Sequence, residues 1–185
     1  LRTDATEKMA EAAEQNHCEL VVAGFYRVLD RRIYAHRAMF MEGKVTRERF
    51  VEGLMRAPAN FYYGVLWNKL FRTDIVRRQK IACPDELDWC EDTSFNLSYL
   101  AHAKYVMVLP EPVYFYTKQK GSLSSAGKVL PGMMDAKGEV FDRYCKLYRT
   151  AKPKSKNKIA PLGYWVSVPI DGGYSVDGYR NPQYY

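Results

Sequence analysis

Apolar and polar positions follow a changing rhythm along this chain, and the changes mark its elements. Met9, Ala12 and Ala13 recur at helical spacing after Asp4, with Glu7 three residues on, which predicts a helix opened by a capping box. Asn16 ends it. Residues 19–29 read as a strand, in which Leu20, Val21, Val22 and Ala23 run together as if buried on both faces. Asp30 and Arg31 suit a turn, after which residues 32–40 return as a more polar strand of a mixed sheet. Thr46 is positioned to cap a short helix through Phe50, Val51, Leu54 and Met55, ended by Pro58. Residues 72–78 predict a short surface helix, and residues 81–84 run extended into an acidic block. Residues 105–109 predict a buried strand, Pro110-Glu111-Pro112 a turn, and residues 113–117 a second extended segment. A last helix is expected over residues 133–148, with Phe141, Tyr144, Cys145 and Tyr148 on one side.

Past Lys152 the rhythm stops. Residues 153–158 read as a linker, and residues 161–185, rich in Gly, Pro and Tyr, as a flexible tail holding at most one strand over 164–168. At 185 residues the chain is long enough for one domain with a core. No apolar run approaches the roughly 20 residues that span a bilayer, and the first residues lack the pattern of a signal peptide, so a soluble, cytoplasmic protein is the expectation. Cys18, Cys83, Cys90 and Cys145 are scattered without a CxxC pair and read as free thiols rather than zinc ligands. The formal charge of +7 is uneven, because Arg143, Lys146, Arg149, Lys152, Lys154, Lys156 and Lys158 crowd into one stretch. Such a run suits a solvated helix face passing into a linker, and contact with anionic lipid headgroups is the sharper alternative. A nucleic-acid binder is disfavoured, since no helix-turn-helix, RNP or zinc pattern accompanies the charge.

Candidate chemistry gathers in two blocks. Asp88, Glu91 and Asp92 sit in what reads as the first turn of a helix whose apolar side is Phe95, Leu97 and Leu100. Free N–H groups and the helix dipole favour acids there, so capping explains them. Alternatively Asp92, held beside a cleft, is a general base that takes a proton from an attacking hydroxyl. Upstream, the aromatic stretch over residues 61–71 supplies core residues such as Val65, Leu70 and Phe71. Within it Trp67, Asn68 and Lys69 offer stacking, hydrogen bonds and charge to a sugar or a phosphate as well as to a core. His102, near the end of the acidic helix, suits a C-terminal cap.

The blocks Trp67-Asn68-Lys69-Leu70-Phe71, Glu91-Asp92-Thr93-Ser94-Phe95-Asn96 and Glu111-Pro112-Val113-Tyr114-Phe115-Tyr116, in that order, resemble the C-terminal half of a family 2 glycosyltransferase of the bacterial surface-polysaccharide type. The resemblance runs over residues 4–125. It implies an α/β fold, the acceptor-side part of a GT-A domain with a Rossmann-like mixed sheet, whose nucleotide-binding half and metal-binding DxD motif would lie before residue 1. It also implies transfer of a sugar, with inversion, from a nucleotide-sugar to a hydroxyl acceptor. Asp92 would be the base, and Glu91 would orient it or touch the acceptor. Trp67, Asn68 and Lys69 would form the wall between donor and acceptor. Lys118, Lys120 and Ser122 would belong to a loop over the donor diphosphate, although lysines stand where similar enzymes carry an arginine with a bidentate fork.

On this reading residues 1–125 are the transferase part, 126–150 a helical segment and 151–185 a basic linker and tail. No metal ligand is expected in this chain, while Mg or Mn is expected in the complete enzyme. Alone, the 185 residues are expected not to turn over and to self-associate through an exposed sheet edge. The competing function is an inactive remnant or interaction module whose basic tail binds membrane or an acidic partner.

Overall fold

The computed structural model of the chain describes residues 1–29, 32–36, 41–58, 60–85, 90–117, 133–151, 162 and 164. Among these residues, five strands make one mixed sheet: β1 (Leu20–Leu29), β2 (Arg32–His36), β3 (Gly43–Thr46), β4 (Lys69–Phe71) and β5 (Tyr105–Thr117). The long strands β1 and β5 run parallel at its centre. Along one side of β1 lie β2, paired with Phe25 to Leu29, and β4, paired with Leu20 to Val22, both antiparallel. Along the far side of β5 lies β3, also antiparallel.

Among the described residues, the sheet is accompanied by the helices α1 (Ala5–Asn16), α2 (Arg47–Arg56), α3 (Phe61–Gly64), α4 (Thr73–Arg78), α5 (Glu91–Leu100) and α6 (Met133–Ala151). α1 covers one face, where Ala5 and Met9 meet Val21, Ala23, Leu109 and Val113. The larger core lies on the other face. There Phe50 and Leu54 of α2, Leu97 and Leu100 of α5, and Val140, Tyr144 and Leu147 of α6 pack with Leu20, Val22, Val106 and Val108. The unbroken apolar run of β1 follows from this layering, since helices cover it on both sides and Leu20 to Ala23 are at most 1% exposed.

Several sequence expectations change in detail. The chain does not turn at Pro110-Glu111-Pro112, because β5 continues through them as one strand. Opposite Ala23, Gly24 and Phe25 stand Leu109, Pro112 and Tyr114, so the register slips and β5 bulges. A bulge takes residues out of the ladder, which lets proline, lacking an N–H, sit inside a strand. The capping box at α1 is also absent: Asp4 makes no cap bond and instead pairs with Arg2 at 2.8 Å and Lys8 at 3.1 Å. Strand β3 was not expected at all. Gly43 and Val45 are half-buried and Lys44 and Thr46 exposed, and their order comes from backbone pairing with β5 rather than from any apolar rhythm.

Nor were α3 and β4 expected, while α2, α4 and α6 agree. Thr46 caps α2 through its hydroxyl, which accepts from the Arg49 N–H at 3.3 Å. α4 and α6 fall where the periodicity puts them. Tyr164, expected in a strand, is helical and buried, its ring 4.8 Å from that of Tyr144. The four cysteines are free thiols. The turn at 30–31, the loop at 118–130 and the tail beyond 164 lie outside the described residues. No helix among the described residues is long and apolar enough to cross a membrane.

Candidate active site

Glu91 and Asp92 are the first two residues of α5. Nothing closes that helix start in the usual way: Cys90, at the cap position, has left-handed backbone (φ 65) and makes no side-chain cap bond. Asp92 does not act as a cap either. One carboxylate oxygen accepts from the Leu66 N–H, 3.2 Å away, in the loop between α3 and β4. The carboxyl is half-buried, and burial raises its pKa above the ordinary 3.8 against the opposing pull of the Leu66 hydrogen bond and the Lys69 charge. A carboxylate so placed keeps one oxygen for orientation and one for a reacting proton.

The loop that meets Asp92 is fixed from three directions. Asn96, one turn along α5, donates from its amide nitrogen to the Gly64 and Val65 carbonyls at 2.7 and 3.2 Å. Asn68 is completely buried and donates to the Ala23 and Tyr62 carbonyls at 3.1 Å each. Lys69 sends its amine back to the Tyr62 carbonyl (3.0 Å), the Val65 carbonyl (2.5 Å) and the Asn68 side-chain oxygen (2.8 Å). Burial lowers the Lys69 ammonium to about 7, while the nearby Asp92 charge favours the protonated form. Gly64 allows the close approach of loop and helix, because a Cβ there would stand 3.0 Å from the Thr93 hydroxyl.

Trp67 lies in an aromatic stack. Its ring is parallel to Tyr114 at 4.3 Å and Tyr116 at 5.6 Å, and it meets the edge of Phe25 at 4.9 Å. The β5 bulge sets the register of these two tyrosines, which puts the third sequence block beside the first. Thus the structure brings Asp92, Trp67, Asn68 and Lys69 into one neighbourhood, with Glu91 next to Asp92.

Asn68 has no exposed surface, and the Lys69 amine is directed at three oxygens of α3 and the loop after it. Lys118, Lys120 and Ser122 lie outside the described residues. His102 is exposed beyond the end of α5, where backbone bonds from Ala101 and His102 to Leu97 and Tyr99 close the helix. Residues that the sequence reading left without a role are Asn96, Gly64 and the Leu66 N–H. Asn96 was readable, since four residues after Asp92 is the same helix face. Among the described residues, no three His, Cys, Asp or Glu side chains come together as metal ligands.

No protein-family model matches the chain. It is 29% identical over 119 residues to an uncharacterised glycosyltransferase of Bacillus subtilis, EpsJ, a match covering 64% of this chain and 35% of the relative. Its fold superposes on S. aureus TarS residues 1–349, solved with UDP-GlcNAc, with a TM-score of 0.63 and 21% identity, covering 98% of this chain and 50% of that one. The fold is that of a family 2 glycosyltransferase. The chain spans about a third of the curated relative's length and half of the solved chain it matches.

Proposed function

We propose that this chain is the acceptor-side part of an inverting glycosyltransferase, and that Asp92 is its general base. The observation that carries the reading is the placement of Asp92: half-buried at a helix start, bonded outside its own helix to the Leu66 N–H, with a raised pKa. A base needs a proton affinity closer to the working pH than a free carboxylate has, and partial burial supplies it. The acceptor hydroxyl would give its proton to Asp92 while its oxygen forms the bond to the anomeric carbon. The bond from that carbon to the nucleotide phosphate breaks on the opposite face, and the diphosphate leaves with the electron pair. Glu91 borders the same point, and Trp67 offers an aromatic edge to a sugar.

The donor is a nucleotide-sugar on this reading, supported by the UDP-GlcNAc bound to TarS. Lys118, Lys120 and Ser122 are assigned to the departing diphosphate, where positive charge stabilises the leaving group. A divalent Mg or Mn would share that charge when bound, and its ligands would come from outside the described residues of this chain. The setting proposed is cell-surface polysaccharide synthesis at the inner face of the membrane. The test is nucleotide release from UDP-GlcNAc and other nucleotide-sugars by a longer polypeptide that includes this chain, with Mg or Mn and a hydroxyl acceptor. Acceptor-dependent release is expected; absence of release with every donor would overturn the reading.

A further inference from the structure

Lys69 is set apart from the other cations by where its charge is spent. Arg72 and Arg78 reach solvent and pair with Asp74 at 2.9 and 3.0 Å, as surface cations commonly do. The Lys69 amine instead turns inward and gathers three oxygens of residues 62, 65 and 68, which belong to α3 and the loop that follows it. An ammonium has three N–H donors, and here each has an acceptor. Between those oxygens lies Leu66, whose N–H is the one bonded to Asp92. The loop end is pinned again where the Lys69 N–H meets the Leu66 carbonyl at 3.0 Å.

We propose that Lys69 is a positioning residue for Asp92: its amine draws the Tyr62, Val65 and Asn68 oxygens together and so fixes the Leu66 N–H that orients the carboxylate. This rests on Asp92 as the base. A role in contacting a donor phosphate would need those three bonds to be given up: the Tyr62 and Val65 carbonyls would keep their Asn68 and Asn96 bonds, but the Asn68 side-chain oxygen would lose the Lys69 amine at a cost of about 1–3 kcal/mol. Charge adds to geometry, because Lys69 favours the ionised form of Asp92 that accepts a proton.

Two NMR readouts on the 185-residue chain test the assignment without needing turnover: hydrogen exchange of the Leu66 amide and the carboxyl carbon titration of Asp92. In Lys69→Met, Leu66 exchange should quicken at least about tenfold, the loss of about 1.4 kcal/mol of local protection, and the Asp92 midpoint should rise. Arg78→Met, which removes an exposed cation of α4, should change neither. A folded Lys69→Met protein with Leu66 exchange and Asp92 titration as in the wild type overturns the proposal.

If Lys69→Met does not fold, the wild-type chain supplies the second measurement. Deprotonating Lys69 removes one of its three donors, so the Leu66 amide shift should step with the same midpoint as the Lys69 Cε signal. Asp92 on α5 is the carboxylate whose charge acts on Lys69, and it titrates at lower pH, while Tyr62 on α3 has its hydroxyl pushed well above its ordinary value by burial. A Leu66 shift that shows no step with Lys69 overturns the proposal equally. Because neither measurement involves sugar transfer, an inactive Asp92 and an uncoupled Lys69 give different results.

Discussion

The starts of α2 and α5 carry the same kind of residue at the same place and treat it in opposite ways. Glu48 and Asp92 are each the second residue of their helix. At α2, Thr46 is extended (φ −74, ψ 156), its hydroxyl accepts from the Arg49 N–H, and Arg47 pairs with Glu48 at 3.2 Å. Burial works against the Glu48 charge, but backbone, Thr46 and Arg47 bonds outweigh it and hold the carboxyl below its ordinary 4.5. At α5 the cap position is a left-handed Cys90 with no cap bond, and Asp92 bonds across to Leu66 with its pKa raised. One helix start is closed upon itself and stabilises the fold. At the other, the acid is given to a neighbouring loop.

The comparison can be broken most strongly at Asn96. Asn96→Ala removes both bonds to the Gly64 and Val65 carbonyls, and a loss of about 2–4 kcal/mol is expected in urea unfolding, with the Asp92 titration displaced. Gly64→Ala comes next. Its Cβ presses on the Thr93 hydroxyl, and about 1–3 kcal/mol of stability should go as the loop backs away from α5. Thr46→Ala should cost about 1 kcal/mol by the same measurement and leave the Asp92 titration untouched, because it acts only on the closed helix start.

The smallest effect separates the two acids by pH. Glu48, depressed in the fold, contributes stability that is present above 4.5 and lost as pH falls through its lower folded value. Asp92, raised in the fold, does the reverse: stability declines as pH rises from 3.8 through its higher folded value. Thermal unfolding at pH 7 should therefore show Glu48→Gln below the wild type and Asp92→Asn level with it or above. The gap should close as the pH falls below the depressed folded value of Glu48.

Much of this contrast was legible in the residues. The continuous run Leu20 to Ala23 announced a strand covered on both faces, and Thr46 ahead of Phe50, Val51 and Leu54 announced a capped amphipathic helix. Both are local signals, carried by a few consecutive side chains. The acids at the start of α5 were also visible, but their first-turn position suited a cap as well as a base, and the choice depends on Leu66, 26 residues away. Distance in sequence also hid the Asn68 bond to Ala23, 45 residues away, whereas the partners of Lys69 lie within seven residues of it. An amide and an amine beside a tryptophan advertise ligand contacts, yet apart from the bond between the two of them their partners are main-chain oxygens that no side-chain pattern reveals. The prolines of β5 misled for a different reason, since a bulge accommodates them without a turn and only the partner strand shows it.

The account stands on Asp92 as the proton acceptor, and Asp92→Asn in a longer, transfer-competent polypeptide measures that directly. Asparagine keeps the size and can still accept from the Leu66 N–H, but it cannot take the acceptor's proton. The initial rate of sugar transfer should fall by about 100- to 10,000-fold with the melting temperature at neutral pH unchanged or higher. Transfer within a few-fold of the wild-type rate in a folded Asp92→Asn protein would contradict the account.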